Sequence, residues 1–390
     1  MTTREQDFPI LIIGAGIGGL ATALALQQAG FAVQIFERSK ELRELGAGLT
    51  LWANAVRVLQ ELGLSDLVQQ RIQQSAPNQA GFYTMRGKQL VYLPPQVVEE
   101  QCGGPTIAIH RAEFQAALRE RLAPDTLVLD RPLVDLEQDT TGVTACFAGG
   151  ERVRGSLLIG ADGIHSRVRQ LLFPHSQLRY AGYTAWRGIA TGVTPPLVGE
   201  MWGRGSRFGI VPLEEERVYW FATCNAPENA AESPQGRKKE LLDRFKGWHP
   251  VVSTLINATE DLAILRNDLF DLKPLTSWSK GRVTLLGDAA HATTPNLGQG
   301  ACQALEDALI LARTLRHEHS PENALHMYQQ KRLARANMVT VNSRRLGWVA
   351  QWEHPLACWL RDSLLALAPQ QLLLKQLKSV ASYTWVSNYS

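Results

Sequence analysis

Charge of one sign, closely spaced cysteines and long apolar runs are all scarce in this sequence of 390 residues. Forty basic residues meet 37 acidic ones, and the formal net charge is only +3. No block of like charge stands out, so a nucleic-acid partner is not expected. The five cysteines (Cys102, Cys146, Cys224, Cys302 and Cys358) are odd in number and irregularly spaced. That spacing fits neither a disulfide framework nor a metal site, and a reduced, cytoplasmic setting is the expectation. Residues 1–8 are polar and charged, and glycine breaks the apolar run that follows. The longest later apolar stretch, residues 364–374, contains Pro369 and two glutamines. Neither a signal peptide nor a transmembrane segment is expected. There is no internal repeat and no low-complexity tract. Hydrophobic residues make up 45% and charged residues 20%, a globular composition in a chain long enough for two domains.

What the chain does have is a glycine-rich unit at its start. Pro9-Ile10-Leu11-Ile12-Ile13 predicts a strand, and Gly14-Ala15-Gly16-Ile17-Gly18-Gly19 follows at once. Residues 20–30 predict a helix and 31–36 a second strand that ends at Glu37. This is a βαβ unit of the dinucleotide-binding kind. Gly14 permits the tight turn, Gly16 lets backbone approach a pyrophosphate, and Gly19 lets helix and strand pack closely. The helix amides then face negative charge. Glu37 stands about 20 residues past the turn, where a carboxylate reaches a ribose.

Further along, residues 55–62 predict a helix that Gly63 ends, and residues 82–84 with 89–93 predict a hairpin. A helix is predicted from His110 to about Leu122, and strands over 126–129, 133–138, 143–147 and 157–160. Between Tyr180 and Thr223 the pattern becomes alternating and aromatic, which predicts an antiparallel sheet. Trp186, Trp202 and Trp220 lie on these strands as core or as the lining of an apolar pocket. Residues 238–245 predict a helix. Residues 283–288 return to buried-strand character, and a helix over 300–315 follows. Residues 321–378 are helical in pattern, broken by Pro355 and Pro369. Trp348, Trp352 and Trp359 in this region are expected to pack on the first domain, with a dimer face or a lid as alternatives.

Three separated stretches carry the chemistry. They are the turn at 14–19 with Glu37; Gly160-Ala161-Asp162-Gly163 with Ser166 and Arg169; and Gly287-Asp288-Ala289-Ala290-His291, followed by Thr294-Pro295-Asn296-Leu297-Gly298-Gln299-Gly300 and Glu306-Asp307. In this order and at these separations the set resembles the FAD-dependent aromatic hydroxylases of the p-hydroxybenzoate hydroxylase type. These are single-component flavoprotein monooxygenases. The pattern is nearest to bacterial FAD-dependent urate hydroxylases and zeaxanthin epoxidases, and it covers almost the whole chain. The resemblance, not periodicity, selects FAD over NAD.

The resemblance implies an α/β fold. A discontinuous Rossmann-like FAD domain (1–75, 106–178 and 266–320) is interrupted by a mainly antiparallel substrate-binding sheet domain (76–105 and 179–265). A C-terminal helical segment (321–390) closes the chain. The implied FAD contacts are Gly14, Gly16, Gly18, Gly19, Glu37, Arg38, Thr50, Arg111, Leu133, Asp162, Asp288, Gly298, Gln299, Gly300 and Ala301. A guanidinium such as that of Arg111 suits a pyrophosphate through its forked donors, and Arg43 is a second candidate. The helix start at 298–301 can hold negative charge on a reduced flavin ring. No second glycine-rich unit serves the nicotinamide, which in this family visits transiently.

On the substrate side the candidates are Tyr183, Arg207, Tyr219 and Asn296; the first three resemble the urate hydroxylases, with Arg207 and Tyr219 twelve positions apart as the catalytic pair. An arginine can stabilise an anionic ring, and a tyrosine can orient it or relay a proton. The urate enzymes carry an acid where this chain has Asn296, and an amide is not a base. His291 is read as a satisfied structural histidine rather than a proton relay. The implied reaction is NADH- or NADPH-driven insertion of one atom of O2 into an electron-rich small aromatic or heteroaromatic molecule. The flavin carries the oxygen at C4a. Epoxidation of a terpenoid or carotenoid double bond, urate-type hydroxylation, and a flavin reductase or binding protein without oxygenase activity are the alternatives. A monomer or homodimer is expected, and no metal.

Overall fold

The computed structural model describes residues 8–42, 48–74 and 80–382. Arg43, a sequence candidate for the pyrophosphate, lies outside the described residues.

Two sheets dominate. The first has six strands, in the order Ser279–Lys280, Val283–Leu285, Leu157–Gly160, Ile10–Ile13, Val33–Phe36 and Leu127–Val128. All neighbours are parallel except the first pair. Ile10–Ile13 and Leu157–Gly160 are buried at every position, as strands covered on both faces must be. Helix Ile17–Gln28 lies against this sheet and against helix Gly300–His317. It begins three residues earlier than the expected start at 20, because Gly16 is already its N-cap. Gly30, with φ +91°, stands just beyond its end, in the conformation that stops helices.

The second sheet has seven strands, in the order Leu265–Leu272, Leu178–Thr191, Arg217–Asn225, Ser206–Pro212, Val198–Trp202, Ala80–Thr84 and Gln89–Tyr92. It is antiparallel apart from the pair of Val198–Trp202 and Ala80–Thr84. The period of two sorts its side chains. Trp186, Phe208 and Trp220 face a core closed by helices Arg237–Arg244 and Pro250–Asn257. Ala185, Arg187, Arg207, Tyr219, Phe221 and Thr223 line a cavity on the other face. Trp186, Trp202 and Trp220 do not line that cavity and are almost fully buried. The expected boundary at 265/266 cuts across a strand. Ladder pairing from Leu178 to Arg187 keeps all of Leu265–Leu272 in the seven-stranded sheet.

Three helices end the described chain: Pro321–Ala350, Pro355–Leu367 and Gln370–Ala381. Pro355 is the first residue of its helix and Pro369 caps the next, positions where a missing N–H costs nothing. The long helix spans both sheets. Tyr328 is buried against the first, Arg332 against helix Gly300–His317, and Gly347 reaches the second. Packing on the first domain fails for two tryptophans, since Trp348 is 69% exposed and Trp359 is 68% exposed. Among the described residues no helix is long and apolar enough to cross a membrane. No group of three or more His, Cys, Asp or Glu among them could hold a metal ion. All five cysteines are free thiols.

Candidate active site

The glycine turn divides its labour. Gly14 has φ +104°, and a Cβ there would lie 2.5 Å from the Ala161 carbonyl oxygen. A Cβ on Gly19 would lie 2.0 Å from the Gly14 carbonyl oxygen. Both glycines are packing requirements and neither lines the cavity. Gly16 differs: a Cβ there would meet nothing within 4 Å. Its open side faces the cavity, which leaves backbone bare for a phosphate. Glu37 holds the turn from below. Its Oε2 accepts from the Ala15 amide at 2.8 Å and its Oε1 from the Ser39 amide at 3.0 Å.

The cavity, about 360 Å³, runs from this turn to the face of the seven-stranded sheet. At its first end stand Gly16, Gly18, Thr50, Arg111 and Asp288. Arg111 and Asp288 are exposed to the cavity, and neither side chain hydrogen-bonds another described residue. Gly298, with φ +61°, Gly300 and Ala301 bring the start of helix Gly300–His317 to the same space. Open backbone, a free guanidinium, a free carboxylate and a helix start match the parts of FAD in turn: pyrophosphate, ribityl chain and flavin ring. A Cβ on Gly163 would also meet nothing within 4 Å, so the second motif leaves bare backbone on the same cavity.

Other expected FAD residues act at one remove. Asp162 does not line the cavity. Its Oδ2 accepts from the amides of Arg167 at 2.6 Å and Val168 at 3.2 Å, which caps helix Arg167–Leu172. Burial pushes its carboxyl up against those hydrogen bonds, and its Oδ1 has no partner. Arg169 ties this loop to the third motif, donating to the carbonyls of Ile164 at 2.5 Å and Ala289 at 3.0 Å. The Gln299 side chain is buried and accepts from Asn54 Nδ2 and Gln303 Nε2, each at 3.0 Å. Leu133 is buried in the first core, and Arg38 is on the surface.

The third motif is braced by buried charge. Asp307 Oδ2 accepts from the Gly287 amide at 3.0 Å and meets His291 Nε2 at 2.6 Å, while Oδ1 accepts from Arg332 Nε at 2.7 Å. Glu306 accepts from Arg335 Nε and Nη2, both at 2.8 Å, from Asn54 at 2.6 Å, and also from Arg332. His291 is thus a buried structural partner. The turn that carries Asp288 is fixed to the long C-terminal helix through this network. Burial pushes the Asp307 carboxyl up, but the charges of His291 and Arg332 outweigh it and hold the group down at about 2. A depressed carboxylate stabilises the fold above its unfolded pKa, near ~3.9, and that stability is lost as pH falls through the folded value. We expect about 2 kcal/mol to disappear between roughly pH 5 and pH 2. Urea unfolding across that range checks it: Asp307→Asn should decline less steeply with acid than the wild type.

At its second end the cavity meets Arg207, Tyr219 and Asn296, which the fold brings together from three segments. Arg207 is 2% exposed and is not a solvated strand residue. Its Nε donates to Gln351 at 2.8 Å, Nη1 to Glu200 at 3.0 Å and Nη2 to Asn296 at 2.7 Å. These bonds use one N–H on each terminal nitrogen and leave the other. Asn296 is occupied by the protein. Its amide nitrogen donates to Thr294 Oγ1 and the Ser343 carbonyl, both at 2.8 Å, and its Oδ1 accepts from the Tyr183 hydroxyl at 3.2 Å. It holds Arg207 and Tyr183 in place, and Tyr183 itself does not line this cavity. The Tyr219 ring lies on bare backbone, where a Cβ on Gly48 would sit 2.5 Å from it. Burial pushes the Tyr219 hydroxyl up, with Arg187 opposing, so it keeps its proton at neutral pH.

Arg187, Phe221 and Glu200 line the same space and were not singled out from the sequence. The signal was present. Phe221 is two positions from Tyr219 on one strand, and Arg187 pairs with Phe221 across the ladder. Gln351, beyond the end of the long helix, had no local signal.

The FAD binding domain family model matches residues 7–343. Aurachin C monooxygenase/isomerase of Stigmatella aurantiaca is 42% identical over 93% of this chain and 95% of its own length. The 2-heptyl-3-hydroxy-4(1H)-quinolone synthase of Pseudomonas aeruginosa is 35% identical over 92% of this chain and 94% of its own. The crystal structure of Klebsiella pneumoniae HpxO with FAD and uric acid superposes with a TM-score of 0.89, at 29% identity, covering 96% of this chain and 97% of that one. The chain belongs to the FAD binding domain family. Within it, the chain is one of the FAD-dependent aromatic monooxygenases, with FAD as its cofactor.

Proposed function

We propose that this protein uses NADH or NADPH to hydroxylate a bicyclic nitrogen heteroaromatic of the 4-quinolone type. Ring, O2, NAD(P)H and a proton would give hydroxylated ring, water and NAD(P)+. The observation that carries this reading is the uncharged Asn296 beside a charged Arg207, both on the cavity. Asp288 stands at the other end of the cavity. Among the described residues Glu200 is the carboxylate at this end, and it is paired with Arg207. A ring that must lose an N–H proton before reaction is poorly served there. A 4-quinolone is a vinylogous amide, already electron-rich at the carbon beside its carbonyl, and needs a cation rather than a base. Two of the similar proteins carry names that point to this class: one makes a 2-heptyl-3-hydroxy-4(1H)-quinolone, and the other acts on aurachin C.

FAD, when bound, supplies the electron storage and the oxygen activation. The chain's own residues do the rest. The free N–H groups of Arg207 hold the exocyclic oxygen of the ring. Tyr219, protonated, donates rather than abstracts. Phe221 and Val211 give the ring an apolar wall and keep water from it. Tyr219→Phe is expected to reduce product formed per NAD(P)H consumed about tenfold, the weight of one hydrogen bond.

The test is a panel of 4(1H)-quinolones and urate against the purified yellow protein. A quinolone should accelerate NADH or NADPH oxidation and take up one atom from ¹⁸O2. Acceleration by urate and by no quinolone would sink the quinolone assignment.

A further inference from the structure

Two arginines reach the sheet face of the reaction cavity, and only one of them has a counter-ion. Arg207 donates to Glu200 at 3.0 Å, and Gln351 and Asn296 take two more of its N–H groups. Its free N–H groups still polarise an oxygen that touches them, but with Glu200 beside it the pair carries no net charge. Arg187 lines the same cavity and is half-buried. Among the described residues no carboxylate or other acceptor meets its guanidinium. A cation drawn partly out of water without a partner costs free energy, and a bound anion removes that cost. Five N–H donors in a planar fork suit an oxyanion above other groups.

The ladder places the two arginines relative to one another. Arg207, Thr223 and Ala185 stand side by side on three neighbouring strands. Gly209, Phe221 and Arg187 form the next row on the same face. Strand spacing and rise put the Cα atoms of Arg207 and Arg187 roughly 12 Å apart, on a diagonal that passes between Thr223 and Phe221. A Cβ on Gly209 would lie 2.0 Å from the Phe221 ring, so that ring leans toward the strand of Arg207 and away from Arg187. Arg187 is also close enough for its charge to act on the Tyr219 hydroxyl.

We propose that Arg187 is the specificity residue for an anionic oxygen on the substrate ring, a carboxylate or an equivalent oxyanion, on the edge away from the oxygen held by Arg207. The proposal rests on the reading that this cavity hydroxylates such a ring, and adds a second anchor to it. The ring lies over Phe221 and Thr223 with one oxygen at each guanidinium. Arg207 acts as a hydrogen-bond donor. Arg187 supplies the one uncompensated charge among the described residues at this end of the cavity, so it separates a charged ring from its neutral parent.

The test compares the affinity of the FAD holoenzyme for charged and neutral rings, read from the flavin spectrum. One series is 4(1H)-quinolone with its 2-, 6- and 7-carboxylates, and the other is phenol with 3- and 4-hydroxybenzoate. In at least one series a carboxylate should bind about 10 to 100-fold more tightly than the neutral parent, the weight of a charge-assisted pair. Arg187→Met, which removes the charge and keeps an unbranched side chain, should bring that ratio to near one. Arg187→Lys should keep part of it. The readout is a ratio within each variant, so general destabilisation does not mimic the effect. The affinity of the apoprotein for FAD should be the same in Arg187→Met as in the wild type. Wild-type ratios near one throughout, or an undiminished ratio in Arg187→Met, would overturn the proposal. Loss of FAD in that variant would also overturn it, by making Arg187 a cofactor contact. If the phenol series shows the effect while no quinolone accelerates NAD(P)H oxidation, the anion subsite stands and the quinolone assignment fails. If quinolones accelerate oxidation while every ratio stays near one, the ring assignment stands and the subsite fails.

Discussion

Arg207→Gln is expected to lower coupled hydroxylation by about 10² to 10³ while FAD stays bound, the size of effect seen when one preorganised charge is removed from a reacting site. The residue is 2% exposed and its position is overdetermined by Gln351, Glu200 and Asn296. On the proposed reading its remaining N–H groups would meet the substrate already oriented, with no reorganisation at the moment of reaction. Product formed per NAD(P)H consumed is the measurement. The variant also leaves Glu200 without its cation, which costs stability by itself. Glu200→Gln added to Arg207→Gln should recover the lost thermal stability and leave coupling low. Arg207→Lys keeps the charge but not the three-way fork, and an intermediate loss is expected. Coupling unchanged in the glutamine variant would remove Arg207 from the reaction.

The second large effect is a contrast between two glycines of one turn. Gly16→Val should fold normally and purify without flavin. The protein leaves open space beside Gly16, whose φ of −71° and ψ of 177° suit any residue, so only the bound pyrophosphate would meet the new side chain. Gly19→Ala should fail earlier, because its Cβ would lie 2.0 Å from the Gly14 carbonyl oxygen, a backbone atom with nowhere to go. Circular dichroism and the flavin-to-protein absorbance ratio separate the outcomes. Asp288→Ala belongs with Gly16. Its carboxylate hydrogen-bonds no described residue, so its loss should weaken FAD by about 10 to 100-fold without unfolding the chain. Stoichiometric yellow flavin in both the Gly16 and Asp288 variants would contradict the cofactor assignment at this end of the cavity.

Wherever a backbone shape imposes a residue type, the sequence was readable. Gly14, Gly19 and Gly298 stand where a side chain has no room or where φ is positive. Pro355 and Pro369 mark helix starts for an equally local reason. The alternation of 207, 209 and 211, and of 219, 221 and 223, set which side chains share a face. What that face looked at was not in the alternation. Trp186 and Trp220 turned inward, and Arg187 turned toward the cavity beside Phe221. The helix-period pattern after residue 321 announced helices. It was silent on their outer surface, where Trp348 and Trp359 remain exposed.

By itself the sequence determined the three glycine-bearing motifs, the nucleotide turn first among them, and the aromatic sheet between them. Each of these is a short-range constraint, a few residues whose backbone or period admits few alternatives. The tertiary structure alone decided that Asn296 would be consumed in holding Arg207, and that Gln351 would share the task from 144 positions away. It also decided that Asp307 would anchor the turn bearing Asp288 through Arg332. Those are contacts between elements far apart in the chain. A hydrogen bond across such a distance leaves no local pattern, because either partner alone satisfies every rule of its own helix or strand.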